Sequence, residues 1–416
     1  MFTGLKLLSA HAITLTLTYE MNLSENSIRT VTLLNDTAGR ANPGCQLTSR
    51  TLRALLEQSA EVQGQHLDIR PYPWHFAKRV DTRDQTLRRL LASGQAFSEE
   101  ALRRLSVVEY GQAAVADTIA SDVVVFQPEG TVSDGDSLLK LLRLFSLPLY
   151  AANFQNKPLV VINGTFPLIS DEREPLVAWL RELSTAFVLR DRISADHWKG
   201  DFMPDTALSW QGQRAEPSDF VLITTGAEVP ENTDRRLMHA ALDVCRRKTL
   251  KPLVATKDWK RFLFAEDQVK QLGGEFHKDV DLEGMDNLLM KCRLHVGGRY
   301  HMAILAATKG VPSVLIRTNT HKNEWLAQEF DGVSCCVIEN LASEALSLLS
   351  RGDEVGDALV NKTRDMAQSS VEHCARIFEQ VDKNVAKSIS PPSVPHQLKR
   401  MVHKDHVANI FKRLRK

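Results

Sequence analysis

Three basic residues are set apart by their spacing. In the stretch HVGGRYHMAILAATKGVPSVLI, residues 295–316, Arg299 and His301 follow a glycine pair, Gly297 and Gly298, and precede an apolar run of helical character. Lys322 comes after the next apolar run. Paired glycines let the backbone turn closely where a strand ends. Arg299 and His301 are therefore expected at a helix mouth, pointing into a cleft. There a guanidinium can fork onto a carboxylate or phosphate, and the helix N-terminus adds its own partial positive charge. An imidazole beside the same anion can pass a proton. Lys322 would be a third cation at the same place.

Other candidates stand at the ends of other apolar runs. In the loop NDTAGRANPGCQLTS, Gly39, Pro43 and Gly44 make a tight loop that ends at a helix N-terminus, where backbone N–H groups favour an anion. QPEGTVSDGD contains Gly130 as a turn residue, with Asp134 or Asp136 able to cap the next helix rather than bind a metal. VVINGTFP places Asn163 and Gly164 at a strand end, and VLRDRIS does the same for Arg190 and Asp191. A charged pair ending a buried strand is costly unless paired or functional, which makes Arg190 a ligand candidate.

The elements that position these residues alternate. RTVTLLN (29–35), HLDIR, DVVVF (122–126), LVVIN (159–163) and AFVLR read as strands with helical patterns between them. The alternation restarts after a polar stretch with FVLITTG, PLVAT, RLHVGG, PSVLI and CCVI. Runs of Val, Ile and Leu without polar alternation suit strands covered on both faces of a parallel sheet. The fold expected is α/β, with two doubly wound Rossmann-like domains: residues 28–208, then a linker at 209–219, then residues 220–350. Residues 351–416 are expected to form C-terminal helices and a basic tail, and residues 1–27 an N-terminal extension. The polar excursion 71–112 reads as a helical hairpin outside the sheet, with Ser98 capping its second helix. Ligands of such sheets sit beyond the carboxyl ends of the strands, so a cleft between the domains is the expected site.

The chain has 416 residues and a formal net charge of only +1, which gives no support to a general nucleic-acid role. Its six cysteines form no CxxC pair and no zinc-type spacing, consistent with reduced thiols in a cytosolic protein. No metal site is expected, and no segment has the length and apolarity of a membrane span. The first residues hold a mildly apolar stretch behind Lys6, but it is rich in Thr and interrupted by His11, unlike a signal peptide. At the other end, residues 396–416 carry seven Lys and Arg against Asp405 alone, interleaved with apolar residues. Such a segment can lie on an anionic membrane surface or pack back on the protein. Deleting it is expected to lower binding to anionic vesicles and to spare activity on a soluble acceptor.

The motifs resemble the polysaccharide pyruvyltransferases. GGRYHMAILAATKGVPSVLI followed by Lys322 is similar to that family's R-x-H motif, small-residue helix, G-V-P strand and lysine. RDRIS followed by PDTAL (204–208) is similar to its R-D-x-x-S and P-D segments, and NPGCQLTSRTL resembles its N-x-G loop. Many members carry an acidic residue where this chain has Cys45. The resemblance, collinear over roughly residues 35–330, implies a fold like that of two-domain GT-B glycosyltransferases. The first domain would lie on the acceptor side and the second on the donor side. It also implies transfer of pyruvate from phosphoenolpyruvate onto two hydroxyls of a sugar in a cell-surface polysaccharide or its precursor, giving a cyclic ketal. His301 would be the acid–base group. Arg299, Arg190, Lys322, Asn42, Gly44, Gly130, Asn163, Gly164 and Gly298 would bind substrate. No cofactor is implied beyond the donor itself. The place of work would be cytoplasmic, at the inner membrane surface if the tail binds lipid. Two rivals remain: a GT-B glycosyltransferase using a nucleotide sugar, for which Glu324 or Glu329 would hold the ribose, and a non-catalytic glycan-binding protein of the same fold. Phosphate release with a sugar acceptor separates the last from an enzyme.

Overall fold

A computed structural model describes residues 28–74, 89–90, 93–216, 218–227, 229–318, 320–383 and 390–391. The N-terminal extension, the basic tail 396–416 and part of the 71–112 excursion lie outside the described residues.

Two six-stranded sheets make the frame. The first holds β1 (Ile28–Leu34), β2 (His66–Tyr72), β3 (Val123–Phe126), β4 (Leu159–Gly164), β5 (Ala186–Leu189) and β6 (Asp201–Phe202). The second holds β7 (Phe220–Gly226), β8 (Lys251–Ala255), β9 (Glu275–His277), β10 (Cys292–Gly298), β11 (Ser313–Ile316) and β12 (Val333–Cys336). Every pairing is parallel. The central strands are buried on both faces, as VVVF in β3 and SVLI in β11 require. Strand order is β2-β1-β3-β4-β5-β6 in one sheet and β12-β11-β10-β7-β8-β9 in the other. Order therefore reverses between β1 and β3, and again between β7 and β10. Loops leaving those strands in opposite directions open a crevice at each switch point. The expected two-domain, GT-B-like α/β architecture is what the chain adopts.

The domains also share packing. Leu47, from helix Pro43–Val62 of the first domain, joins Ala207 and Leu208 in one apolar cluster with Tyr300, Met302 and Ala303 of the second. The long helix Asp353–Lys383 starts against the second domain through Val355 and Leu359. It ends against the first, where Cys374, Ile377, Phe378 and Val381 cover Val31, Leu33 and Leu52. The polar stretch 209–219 is pinned rather than loose. Trp210 donates its indole N–H to Asp286 (3.0 Å), which also pairs with the buried Lys309 (2.9 Å).

Local signals act largely as their chemistry demands. Asn42 caps helix Pro43–Val62 by accepting from the Gly44 N–H, with Pro43 in its first turn. Ser98 caps helix Glu99–Tyr110, accepting from the Ala101 N–H at 3.3 Å. One expectation needs correcting. The cap of helix Leu138–Phe154 is Ser137, not Asp134 or Asp136. Asp136 is already committed to the Ser133 N–H (2.8 Å) and the Lys140 ammonium (2.5 Å).

His295 in β10 is fully buried between two hydroxyls, Ser313 Oγ (3.1 Å) and Thr224 Oγ1 (3.0 Å). Burial pushes its pKa down from 6.5 to about 3. The folded chain thus holds a neutral ring while the unfolded chain takes up a proton near pH 6.5. Its contribution is fully present above that pH and is lost as pH falls towards 3, at about 1.4 kcal/mol per pH unit. Urea melts between pH 7.5 and 4.5 are expected to show this loss in the wild type. The His295→Asn variant should lack that part of the slope. Equal slopes in both would overturn the assignment.

Candidate active site

A cavity of about 650 Å³ lies between the domains where the two switch points face each other. Arg40, Asn42, Gly44 and Cys45 reach it from the loop after β1, and Glu129, Gly130 and Thr131 from the loop after β3. Across from them are Thr224 within β7 and Ala227 after it, Lys257 after β8, and Arg299, Tyr300 and His301 after β10. Arg190 after β5 and Lys322 after β11 line it as well, with Lys140 of helix Leu138–Phe154.

His301 is the crossing point. It stands in the first turn of helix Tyr300–Thr308, and its Nε2 meets Thr48 Oγ1 (2.8 Å) and Arg190 Nη1 (3.0 Å), both from the first domain. A guanidinium only donates, so in the neutral ring Nε2 presents its lone pair to Arg190 and the proton sits on Nδ1; Asp205 Oδ2, 3.6 Å from the same Nε2, is the acceptor that faces it when the ring is protonated. That nitrogen lies 3.9 Å from Glu129 Oε1. Gly44 is required by this approach: a Cβ there would stand 2.9 Å from both Cβ and Nδ1 of His301. The glycine of the first-domain loop and the histidine of the second-domain helix are thus one fitted contact.

Arg190 and Asp205 form a fully buried pair (2.8 Å), and Arg190 also donates to Thr165 Oγ1 (3.0 Å) and lies over the Tyr300 ring at 4.9 Å. Burial alone would raise the pKa of Asp205; the Arg190 charge and the contact with His301 overturn this and hold it below the ordinary value. Burial works against the Arg190 charge too, and Asp205, with Tyr300, Glu129 and Asp191 behind it, more than offsets it. One nitrogen, Arg190 Nη2, is buried with no partner among the described residues. A Cβ on Gly130 would lie 3.3 Å from that nitrogen and 3.5 Å from Lys322 Nζ. Two cations from opposite domains therefore converge on one backbone position that carries no side chain.

The strand ends carrying these cations are fastened to each other. Asp191, next to Arg190, accepts from His321, next to Lys322, at 2.8 Å, and Ser194 Oγ stands 3.1 Å from the same imidazole nitrogen. Burial favours the neutral Asp191 acid, but the His321 and Ser194 contacts hold its pKa below the ordinary value.

Arg299 sits further out and is partly exposed. It donates to Thr225 Oγ1 (3.1 Å) and pairs with Asp258. Arg299→Ala is expected to weaken anion binding roughly tenfold to a hundredfold, because losing a charge-assisted bond costs about 1.5–3 kcal/mol. The fold should be unaffected. Calorimetry with phosphoenolpyruvate checks this, and unchanged affinity would remove Arg299 from the site.

Of the residues expected from sequence, Asn42, Gly44, Gly130, Arg190, Arg299, His301 and Lys322 line the cavity; Asn163, Gly164 and Gly298 do not. Asn163 is buried, with φ +61°, and both ends of its amide hold Thr206 (2.9 and 3.1 Å). Gly164 packs on Pro128 and Phe166, and Gly298 on Gly226 and Ile316. These three shape the frame behind the wall. Cys45 is buried against Glu129, and burial, then that carboxylate, push its thiol to about 12, which makes it inert as a nucleophile. Thr48, Glu129 and Asp205 were not among the expected site residues. Asp205 falls in the PDTAL segment and Glu129 in the QPEG loop, so position alone hinted at both; a threonine on a buried helix face gives no signal.

A cationic cavity between two facing switch points defines a two-domain α/β protein of the GT-B-like class. Residues 42–320 match the family model described as polysaccharide pyruvyl transferase, and the chain belongs to that family. No curated protein matches it. Among solved structures it is similar to the MnaA protein of S. aureus, solved with UDP (12% identity, 87% of this chain and 100% of that one, TM-score 0.54). It is also similar to the UDP-GlcNAc 2-epimerase of Neisseria meningitidis bound to UDP-GlcNAc (12% identity, 85% and 100%, TM-score 0.50). At that identity the likeness is one of fold. No helix among the described residues is long and apolar enough to cross a membrane.

Proposed function

We propose that the chain transfers the pyruvyl group of phosphoenolpyruvate to two hydroxyls of a sugar in a polysaccharide or its precursor, forming a cyclic ketal. The observation that carries this reading is the convergence of Arg190 Nη2 and Lys322 Nζ beside Gly130, next to His301, in a chain of this family. Phosphoenolpyruvate is a compact trianion with carboxylate and phosphate close together. Cations converging on one bare backbone position suit it, and an unpartnered guanidinium nitrogen offers a ready bond. His301, in its protonated form, is the group placed to deliver a proton to the methylene carbon as a hydroxyl attacks its neighbour.

Neither carboxylate expected to hold the ribose of a nucleotide sugar is at the cavity. Glu324 pairs with Arg317 (3.4 Å), Glu329 with Lys362 (2.8 Å), and neither lines the cavity. The test is a panel of glycan acceptors with phosphoenolpyruvate, reading phosphate release and product mass. A parallel melting series compares phosphoenolpyruvate with UDP-sugars, since a ligand that binds the native state raises the melting temperature. Stabilisation by a UDP-sugar alone, with no phosphate released, would overturn the proposal.

A further inference from the structure

Ketal formation needs a proton delivered to carbon and, at the same moment, a proton taken from the attacking hydroxyl. His301 can do the first but not both together. We propose that Glu129 is the base that takes the acceptor hydroxyl's proton, so that Glu129 and His301 act as an opposed acid–base pair. This inference rests on the pyruvyl-transfer reading.

Four observations place Glu129 in that role. It is the one carboxylate among the described residues of the cavity wall, where six Lys and Arg also stand. Its Oε1 faces Nδ1 of His301 at 3.9 Å, a nitrogen that carries a proton in the neutral ring described above and in the protonated ring alike. That gap is too long for a hydrogen bond between them and leaves both groups turned to the same space; such contacts often tighten only when substrate is bound. Its backbone has φ +53°, in the left-handed region where side chains are rare. The Thr165 N–H, donating to its carbonyl at 3.0 Å, helps hold that conformation. Strain of this kind persists where the surroundings over-determine it, and it gathers at active sites. Finally, among the described residues His301 is its one ion-pair partner, so no structural salt bridge accounts for the carboxylate.

The proton count closes. In the first step a hydroxyl oxygen of the sugar bonds to C2 of phosphoenolpyruvate, and Glu129 takes that hydroxyl's proton. The C2=C3 π pair takes a proton from protonated His301, turning the methylene into a methyl group. In the second step the C2–O bond to phosphate breaks and the second hydroxyl oxygen bonds to C2. Its proton goes to the now neutral His301, while Glu129 returns its proton to the departing phosphate. Both residues end as they began, with one substrate proton on the methyl group and one on phosphate.

The experiment compares wild type, Glu129→Gln and Glu129→Ala, the last with and without added formate. Phosphate release with an acceptor gives turnover, and calorimetry gives phosphoenolpyruvate affinity. Glu129→Gln should lose about 10²-fold in kcat with donor affinity little changed. Formate should restore part of the turnover of Glu129→Ala, a rescue that a purely structural role would not produce. Near-normal turnover of Glu129→Gln, or loss of donor affinity in step with turnover and no rescue, would overturn the assignment while leaving pyruvyl transfer standing. A wild type that neither binds phosphoenolpyruvate nor releases phosphate would overturn both.

Discussion

Replacing His301 with glutamine should lower turnover about 10²–10⁴-fold, the usual worth of a positioned acid–base group, and should leave donor affinity largely intact. Glutamine can still accept from Thr48 and Arg190, whose contacts with the imidazole are 2.8 and 3.0 Å. It cannot deliver a proton from the position of Nδ1, opposite Glu129. The expected signature is a fall in kcat with little change in the phosphoenolpyruvate dissociation constant, measured by phosphate release and calorimetry. If the variant keeps near-normal turnover, the proton to carbon comes from another group.

Arg190→Ala should be costly in two ways. From sequence alone, a strand-end arginine is expected to be removable at the price of donor binding only. Its burial changes that expectation, because Arg190 and Asp205 are both fully buried. Removing one partner leaves an uncompensated charge inside, at a cost of about 3–5 kcal/mol. Donor binding should fall as well, since Arg190 Nη2 is the unpartnered nitrogen beside Gly130. The double variant Arg190→Ala with Asp205→Ala separates the two effects. It should regain part of the stability, read by urea melts, and none of the donor affinity. Recovery of donor binding in the double variant would mean that Arg190 does not touch the donor.

The architecture was legible because parallel strands covered on both faces carry apolar runs, as VVVF in β3, LVVI in β4 and SVLI in β11 do, and ten of the twelve strands were expected from sequence. The exceptions are β6 and β9, of two and three residues, which sit at sheet edges and are too short for any period to show. The R-x-H segment was legible because glycines, a cation and an imidazole sit within seven consecutive residues. Of the residues that meet His301, Arg190 was legible as a charge ending a buried strand, but Thr48 and Glu129 were not, because they are brought to it only by the closing of one domain on the other. Thr48 and Glu129 lie more than 170 residues away in the chain. Asn163 and Gly164 misled for a related reason. A strand end in a doubly wound sheet can point into the crevice or brace the loop behind it, and Asn163 braces Thr206.

Helix Asp353–Lys383 supplies Cys374, Ile377, Phe378 and Val381 to the face of the first sheet that carries Val31 and Leu33. During synthesis this gives the amino-terminal domain an unusual timetable. Its strands leave the ribosome in order, and helix Pro43–Val62 covers part of one apolar face through Leu52, Leu55 and Leu56, yet the rest of that face stays uncovered until the second domain and helix Asp353–Lys383 have been made. Domains of long chains commonly fold as units in the order they emerge. Here the first to emerge is the last to be finished, and a nascent chain halted before residue 374 presents its sheet to chaperones.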